Sequence, residues 1–164
     1  MPGPDEDPFT VPGFWMRDDM LELWLRLLAL HIEEYPAAER DTEEAVLARR
    51  IRDDWLLASR PYFPGCVPHR IEDAAETEPG RTIMRNAVAS LNKALERTVS
   101  LSAETLNLLG FDDWTGDGIS WREDVDAQRL RDVGRAFIDL FDGRIESANH
   151  DCKFMPGTIP LRAE

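Results

Sequence analysis

Lysine, cysteine and histidine are all scarce in this 164-residue chain, and positive charge is outnumbered. Only Lys93 and Lys153 are lysines, so arginine supplies almost all of the 19 basic side chains, against 32 acidic ones. The net charge of -13 repels nucleic-acid phosphate and anionic membranes, and it attracts basic partners or cations. We therefore predict no direct binding to nucleic acid or to membranes.

Long apolar runs are also missing. The longest apolar stretch, Met20 to Ile32, is interrupted by Glu22, Arg26 and His31, so it does not resemble a membrane span. The first residues, MPGPDEDPFTVPGF, contain neither a basic start nor an apolar run, and they do not resemble a secretory signal. The sequence therefore predicts a cytoplasmic protein.

Recognisable catalytic motifs are absent as well. The chain has no phosphate-binding glycine loop, no GxSxG elbow and no HExxH pair. Pairs of adjacent acids recur along the chain, but nothing in the sequence singles out one pair for acid–base or metal chemistry. We therefore predict a protein that is not an enzyme and needs no cofactor.

Helical periodicity is the main pattern that is present, and no run alternates as a strand would. It predicts an all-α fold, an irregular bundle of four main helices plus a short helix, with long loops containing proline and glycine. The helices are expected at Asp18–Tyr35, Thr42–Ser59, Arg81–Val99 and Val125–Phe141, with the short one at Ser102–Leu109.

The same pattern divides the chain into an extended arm over 1–17, a helical bundle over 18–143 and an irregular tail over 144–164 that packs on the bundle. The first helix is apolar on most sides, so it is expected at the centre. Asp41 and Glu44 resemble a capping box, Gly110 suits a left-handed helix end, and Gly134 would let another helix approach closely.

A loop rich in acids, FDDWTGDGISWREDVD, suggests calcium at first sight. An EF-hand needs oxygen ligands at fixed positions and a bidentate glutamate at the twelfth. Starting from Asp113, the loop offers Asp117 and ends at Asp124, a short aspartate. Ser120 and Trp121 stand where an apolar residue and a ligand belong, so an acidic turn explains the loop better than a calcium site does.

Thiol and imidazole groups form a second candidate metal site. Cys66 and His69 stand three residues apart, and His150 and Cys152 stand two apart. Four such ligands make a closed zinc site, although the second spacing is shorter than usual and the fold must join the two pairs. Unrelated residues are the simpler explanation, and the two cysteines are expected to be free thiols.

The third histidine, His31, lies in the middle of the apolar face of the first helix. We interpret it as a buried neutral histidine that is bonded to a carbonyl. Service as a general base would require a cavity beside it.

Two acidic segments outside the predicted helix cores are the candidate partner-binding surface. One spans residues 72–78 and the other 112–126, where two tryptophans interrupt the acids. Tryptophan anchors ringed by charge are typical of binding hot spots, although both rings could instead fold inward and seal the core. The candidate residues are Glu72, Asp73, Glu76, Glu78, Asp112, Asp113, Trp114, Asp117, Trp121, Glu123 and Asp124.

These features together favour a small acidic, non-catalytic protein that binds and neutralises a basic partner protein. A bacterial immunity protein or antitoxin acting on a basic toxin is the form that fits best. The alternatives are a metal-binding regulatory domain, using zinc or calcium, and a nucleic-acid mimic that inhibits a DNA-binding protein. An enzyme using His31 or Cys66 ranks below all of these. The oligomeric state stays open.

Overall fold

The structure, a computed structural model, describes residues 16–60, 69–110 and 120–144. This part of the chain confirms the predicted all-α fold with four longer helices. The predicted arm and tail fall almost wholly outside it, so the division into three regions stays a prediction. The helices are α1 (Asp18–Leu30), α2 (Glu43–Ala58), α3 (Ile71–Ala75), α4 (Glu78–Leu95), α5 (Ala103–Leu108) and α6 (Ala127–Phe141), with a 3-10 turn at Ala37–Glu39.

Helix α1 lies at the centre of the core, as its composition predicts. It packs against α2 and α4, and Leu23, Leu25 and Leu28 are completely buried. Trp24 meets Phe137 of α6 edge-on, with ring centroids 4.8 Å apart. A helix enclosed on several sides needs apolar residues around most of its circumference, which is what this segment supplies.

The predicted end of the first helix at Tyr35 is wrong, because α1 stops at Leu30. Ile32 nevertheless remains in the core with 6% of its surface exposed. The apolar pattern indicates which residues are buried, and Ile32 is buried without being part of a helix. For this reason the pattern extended beyond the true end of α1.

The predicted starts of α2 and α4 also need correction. Thr42, and not Asp41, is the N-cap of α2, and its hydroxyl accepts the N–H of Ala45 at 3.2 Å. Helix α4 begins at Glu78 instead of Arg81 because Thr77 caps it and proline is tolerated in a first turn. The predicted last residues were also too late, since α2 ends at Ala58 and α4 at Leu95.

Two further elements were not expected. Helix α3 replaces part of the predicted acidic connection, and it lies so close to α4 that a Cβ on Gly80 would be 1.9 Å from the carbonyl oxygen of Ala74. Short strands β1 (Ser100–Leu101) and β2 (Val125–Asp126) pair antiparallel. For this reason α6 begins at Ala127 and not at Val125.

Both glycine predictions are confirmed. Gly110 follows α5 with a φ of 66°, in the left-handed region. A Cβ on Gly134 would lie 2.6 Å from Oδ1 of Asn92, so α4 and α6 do approach closely there. None of the described helices combines the length and apolar character needed to cross a membrane.

Candidate functional site

The described end of the predicted tryptophan loop is built into the fold. Trp121 is half-buried and packs against the core, and its backbone N–H donates to Oδ1 of Asn107 at 2.6 Å. Nδ2 of Asn107 donates in return to the carbonyl of Trp121 at 3.2 Å. Asp124 accepts the N–H of Ala103 at 3.0 Å, which satisfies a free donor in the first turn of α5. Glu123 is exposed.

The remaining predicted residues of this loop, Asp112, Asp113, Trp114 and Asp117, lie outside the described residues. Where the loop leaves α5, it is held by Arg26 of α1. Its guanidinium donates to the carbonyls of Leu109, at 2.8 Å, and Gly110, and its Nε donates to Oγ of Ser59 at 3.1 Å.

The second predicted acidic segment makes local contacts with bases. Glu72 lies 3.5 Å from Nδ1 of His69, and Glu78 forms an ion pair with Arg81 at 2.7 Å. Both glutamates are largely exposed, and an exposed ion pair such as Glu78–Arg81 contributes little to stability.

The other two predicted acids of that segment, Asp73 and Glu76, line a depression of about 260 Å³. Arg50 and Arg70 line it too, so the charge at this place is mixed. A partner-binding role for this segment and for the tryptophan loop stays a prediction.

Neither metal hypothesis gains support from the described residues, among which no group of three or more His, Cys, Asp and Glu could hold an ion. Cys66, His150 and Cys152 lie outside the description, so the zinc set as a whole stays a hypothesis. Nδ1 of His69 accepts the N–H of Ile71 at 3.1 Å. Most of the calcium loop also lies outside.

An acidic surface that the sequence analysis missed lies on the connection between α1 and α2. All of its carboxylates are exposed, and within the described residues none of them forms an ion pair. Elsewhere, acids do pair with arginines, as Asp142 does with Arg85 at 2.7 Å. We call this surface the connection face; it comprises Glu33, Glu34, Glu39, Asp41, Glu43 and Glu44.

A pocket of about 400 Å³ opens beside the connection face, and we call it the Tyr35 pocket. Four aliphatic residues form its apolar part, and the side chains around them can donate or accept hydrogen bonds. The lining residues are His31, Ile32, Glu33, Tyr35, Glu44, Ala48, Ile83, Asn86, Ala87 and Ser90.

His31 stands at the end of α1 and not in the middle of its apolar face. Its Nδ1 lies 2.9 Å from Oγ of Ser90, so the predicted bond to a carbonyl is replaced by one to a hydroxyl. Burial lowers the pKa of His31 from its usual value, which favours the neutral form of the half-buried imidazole.

Tyr35 marks the acidic side of the pocket. Burial is the main cause that raises the pKa of its phenol, and a hydrogen bond to Glu44 is the next. The negative charges of Glu44, Glu33 and Glu39 raise it further. The charges of three carboxylates thus act on one phenol.

Comparison with known proteins gives no guide to this site. No protein-family model, no curated protein and no solved structure matches the chain. A functional assignment therefore depends on the geometry and charge described above.

Proposed function

We propose that this chain is a non-catalytic protein that binds and neutralises a basic partner protein. An immunity protein or antitoxin that acts in the cytoplasm against a basic toxin is the specific form of this proposal. Its mechanism is occlusion, in which an acidic surface covers a basic active site.

The observation that carries the proposal is the connection face. Six exposed carboxylates within twelve residues have no ion pair among the described residues, although the chain contains 19 basic side chains. Like charges held close together cost free energy, and a basic surface relieves that cost on binding. The surrounding field also accelerates the encounter with a basic protein.

The contact of His31 with Ser90 does not favour catalysis. A serine and a histidine at 2.9 Å suit a nucleophile and its base. Acyl transfer, however, also needs donors for the oxyanion. Ser90 lies inside α4, where backbone N–H groups already bond within the helix.

The test is co-expression with the protein encoded by the adjacent gene, which we expect to be basic, followed by purification and calorimetry at low and high salt. We expect a complex whose affinity falls steeply as salt rises. Failure to co-purify would overturn the proposal, and so would an affinity that salt leaves unchanged.

Two variants with equal charge locate the surface. The first replaces Glu33, Glu34, Glu39 and Glu43 with glutamine. The second replaces Glu72, Asp73, Glu76 and Glu123, from the two surfaces predicted by sequence, with the matching amides. Each loses four negative charges. Only the variant that removes charge from the surface that binds the partner should weaken the complex strongly. If both variants weaken it slightly and equally, recognition by a defined acidic surface is contradicted.

A further inference from the structure

We propose that the Tyr35 pocket receives an arginine side chain of the basic partner. This inference rests on the proposed function and deepens it, because it identifies the chemical group that is recognised. Three features of the pocket support it: an apolar floor, clustered carboxylates, and neutral polar groups in the rest of the lining.

The floor of the pocket suits the methylene stem of an arginine. Ile32, Ala48, Ile83 and Ala87 line it, and each exposes 7% or less of its surface. Long basic side chains commonly lay their methylenes on such apolar surface while the charged head stays among polar groups. The volume of about 400 Å³ lies within the range of roughly 300–1,000 Å³ that is usual for small-ligand pockets.

The acidic side supplies charge and acceptors for the head. Glu33 and Glu44 line the pocket, and their charges act on Tyr35 together with that of Glu39. Glu44 already accepts the phenol hydrogen, yet a carboxylate offers about four acceptor positions. A guanidinium placed here would form hydrogen bonds to charged acceptors, the stronger class.

The rest of the polar lining carries no fixed charge. Burial favours the uncharged form of His31, which weakens its repulsion of a cation. Ser90, 2.9 Å from Nδ1 of His31, and Asn86 add oxygen acceptors. Several acceptors around one pocket fit a planar group with five donors better than a compact ammonium, so arginine is favoured over lysine.

Three arginines of this chain lie beside the pocket but do not line it. Arg40, Arg49 and Arg52 line an adjoining pocket that shares Glu33 and Tyr35 with this one. Arg49 donates to the carbonyl of Arg40 at 2.8 Å, and Arg52 lies 3.5 Å from Asp53. Within the described residues, neither carboxylate of the Tyr35 pocket is neutralised by an internal ion pair.

The test uses the full chain and three short peptides, acetyl-Ala-X-Ala-amide, in which X is arginine, lysine or citrulline. Citrulline has the shape of arginine without its charge. Binding is followed by the amide shifts of the 15N-labelled protein. We expect saturable shifts confined to the pocket residues with the arginine peptide, weaker binding of the lysine peptide and none of the citrulline peptide.

Adjacent glutamates provide matched variants. Glu44→Gln keeps an acceptor for Tyr35 but removes a charge from the pocket, and it should weaken arginine binding about tenfold. Glu43→Gln removes the same charge from an exposed neighbour that does not line the pocket, and it should have little effect. Glu33→Gln is a second pocket variant, used if Glu44→Gln has an altered circular dichroism spectrum.

Three results would overturn the inference: citrulline or lysine binding as tightly as arginine, shifts spread evenly over all acidic surfaces, or equal weakening by Glu43→Gln and Glu44→Gln. If the complex with the partner forms and weakens with salt, but the arginine peptide does not bind, the assignment of the pocket to arginine is rejected and the proposed function is retained. If peptide binding follows the expected order while no partner complex forms, the proposed function falls.

Discussion

Glu22 provides a sharp test of the electrostatics inside the bundle. It lies on α1 with only 7% of its surface exposed. Burial chiefly, and then the negative charges of Asp18 and Asp19, raise the pKa of its carboxyl from 4.5 to about 7. Arg26, one turn further on, directs its guanidinium at Ser59 and at backbone carbonyls.

The sign of the pH dependence follows from this shift. Between pH 4.5 and about 7, the folded state holds a proton on Glu22 that the unfolded state has released. The free energy of unfolding therefore falls as the pH rises through this window, and the contribution of Glu22 is greatest below it. The difference between the two pKa values corresponds to about 3 kcal/mol.

Glu22→Gln places a permanently neutral group at this position. Urea unfolding from pH 4.5 to 8 should show the variant gaining stability relative to wild type, by up to about 3 kcal/mol at the upper end. Glu96→Gln, at an exposed site, is the control and should follow the wild-type curve. Parallel curves for wild type and Glu22→Gln would refute the reasoning, as would an NMR titration that puts the pKa of Glu22 near 4.5.

Three further substitutions test individual contacts by urea unfolding. Gly80→Ala should lower the free energy of unfolding by about 2 kcal/mol, because the new Cβ would clash with the carbonyl of Ala74. At an unobstructed helix position the same change would raise stability. Unchanged stability would disprove this packing. Thr42→Ala should lower the free energy of unfolding by about 1 kcal/mol, because the N–H of Ala45 loses its hydrogen bond to the hydroxyl. Thr42→Ser keeps a hydroxyl and should retain most of the stability. Trp121→Ala should lower the free energy of unfolding by about 2 kcal/mol, because the ring is half-buried against the core. Partner binding by this variant should therefore be measured only under conditions where it is folded. Unchanged stability would show that the ring lies in solvent.

The sequence predicted the four longer helices well because burial repeats with helical period along each of them. The predicted ends of these helices were less accurate, because single contacts such as a capping hydrogen bond determine where a helix begins or stops. Thr77 caps α4, which begins at Glu78, three residues before the predicted start at Arg81. A helical apolar pattern does not record such a cap. At the end of α1 the error has the opposite direction. Ile32 is buried although it lies beyond the helix, so the apolar pattern predicted a helix that was too long.

The site was harder to predict for a physical reason. In the sequence, Glu33–Glu34 and Glu43–Glu44 look no different from the other adjacent acid pairs. What distinguishes them is whether a base from another element reaches them, as Arg85 of α4 reaches Asp142 after α6. The pocket was also invisible, because His31, Glu44 and Ser90 come from three separate segments.

Apart from the hydrogen bond of Tyr35 to Glu44, the connection between α1 and α2 is held by contacts that do not use its carboxylates. Ile32 anchors one end in the core, the hydroxyl of Thr42 donates to the carbonyl of Glu39 at 2.8 Å, and Arg49 donates to the carbonyl of Arg40. Replacing Glu33, Glu34, Glu39 and Glu43 with glutamine should therefore leave the backbone in place. Because the groups that fix the conformation differ from those that carry the charge, the charge variants test recognition separately from folding.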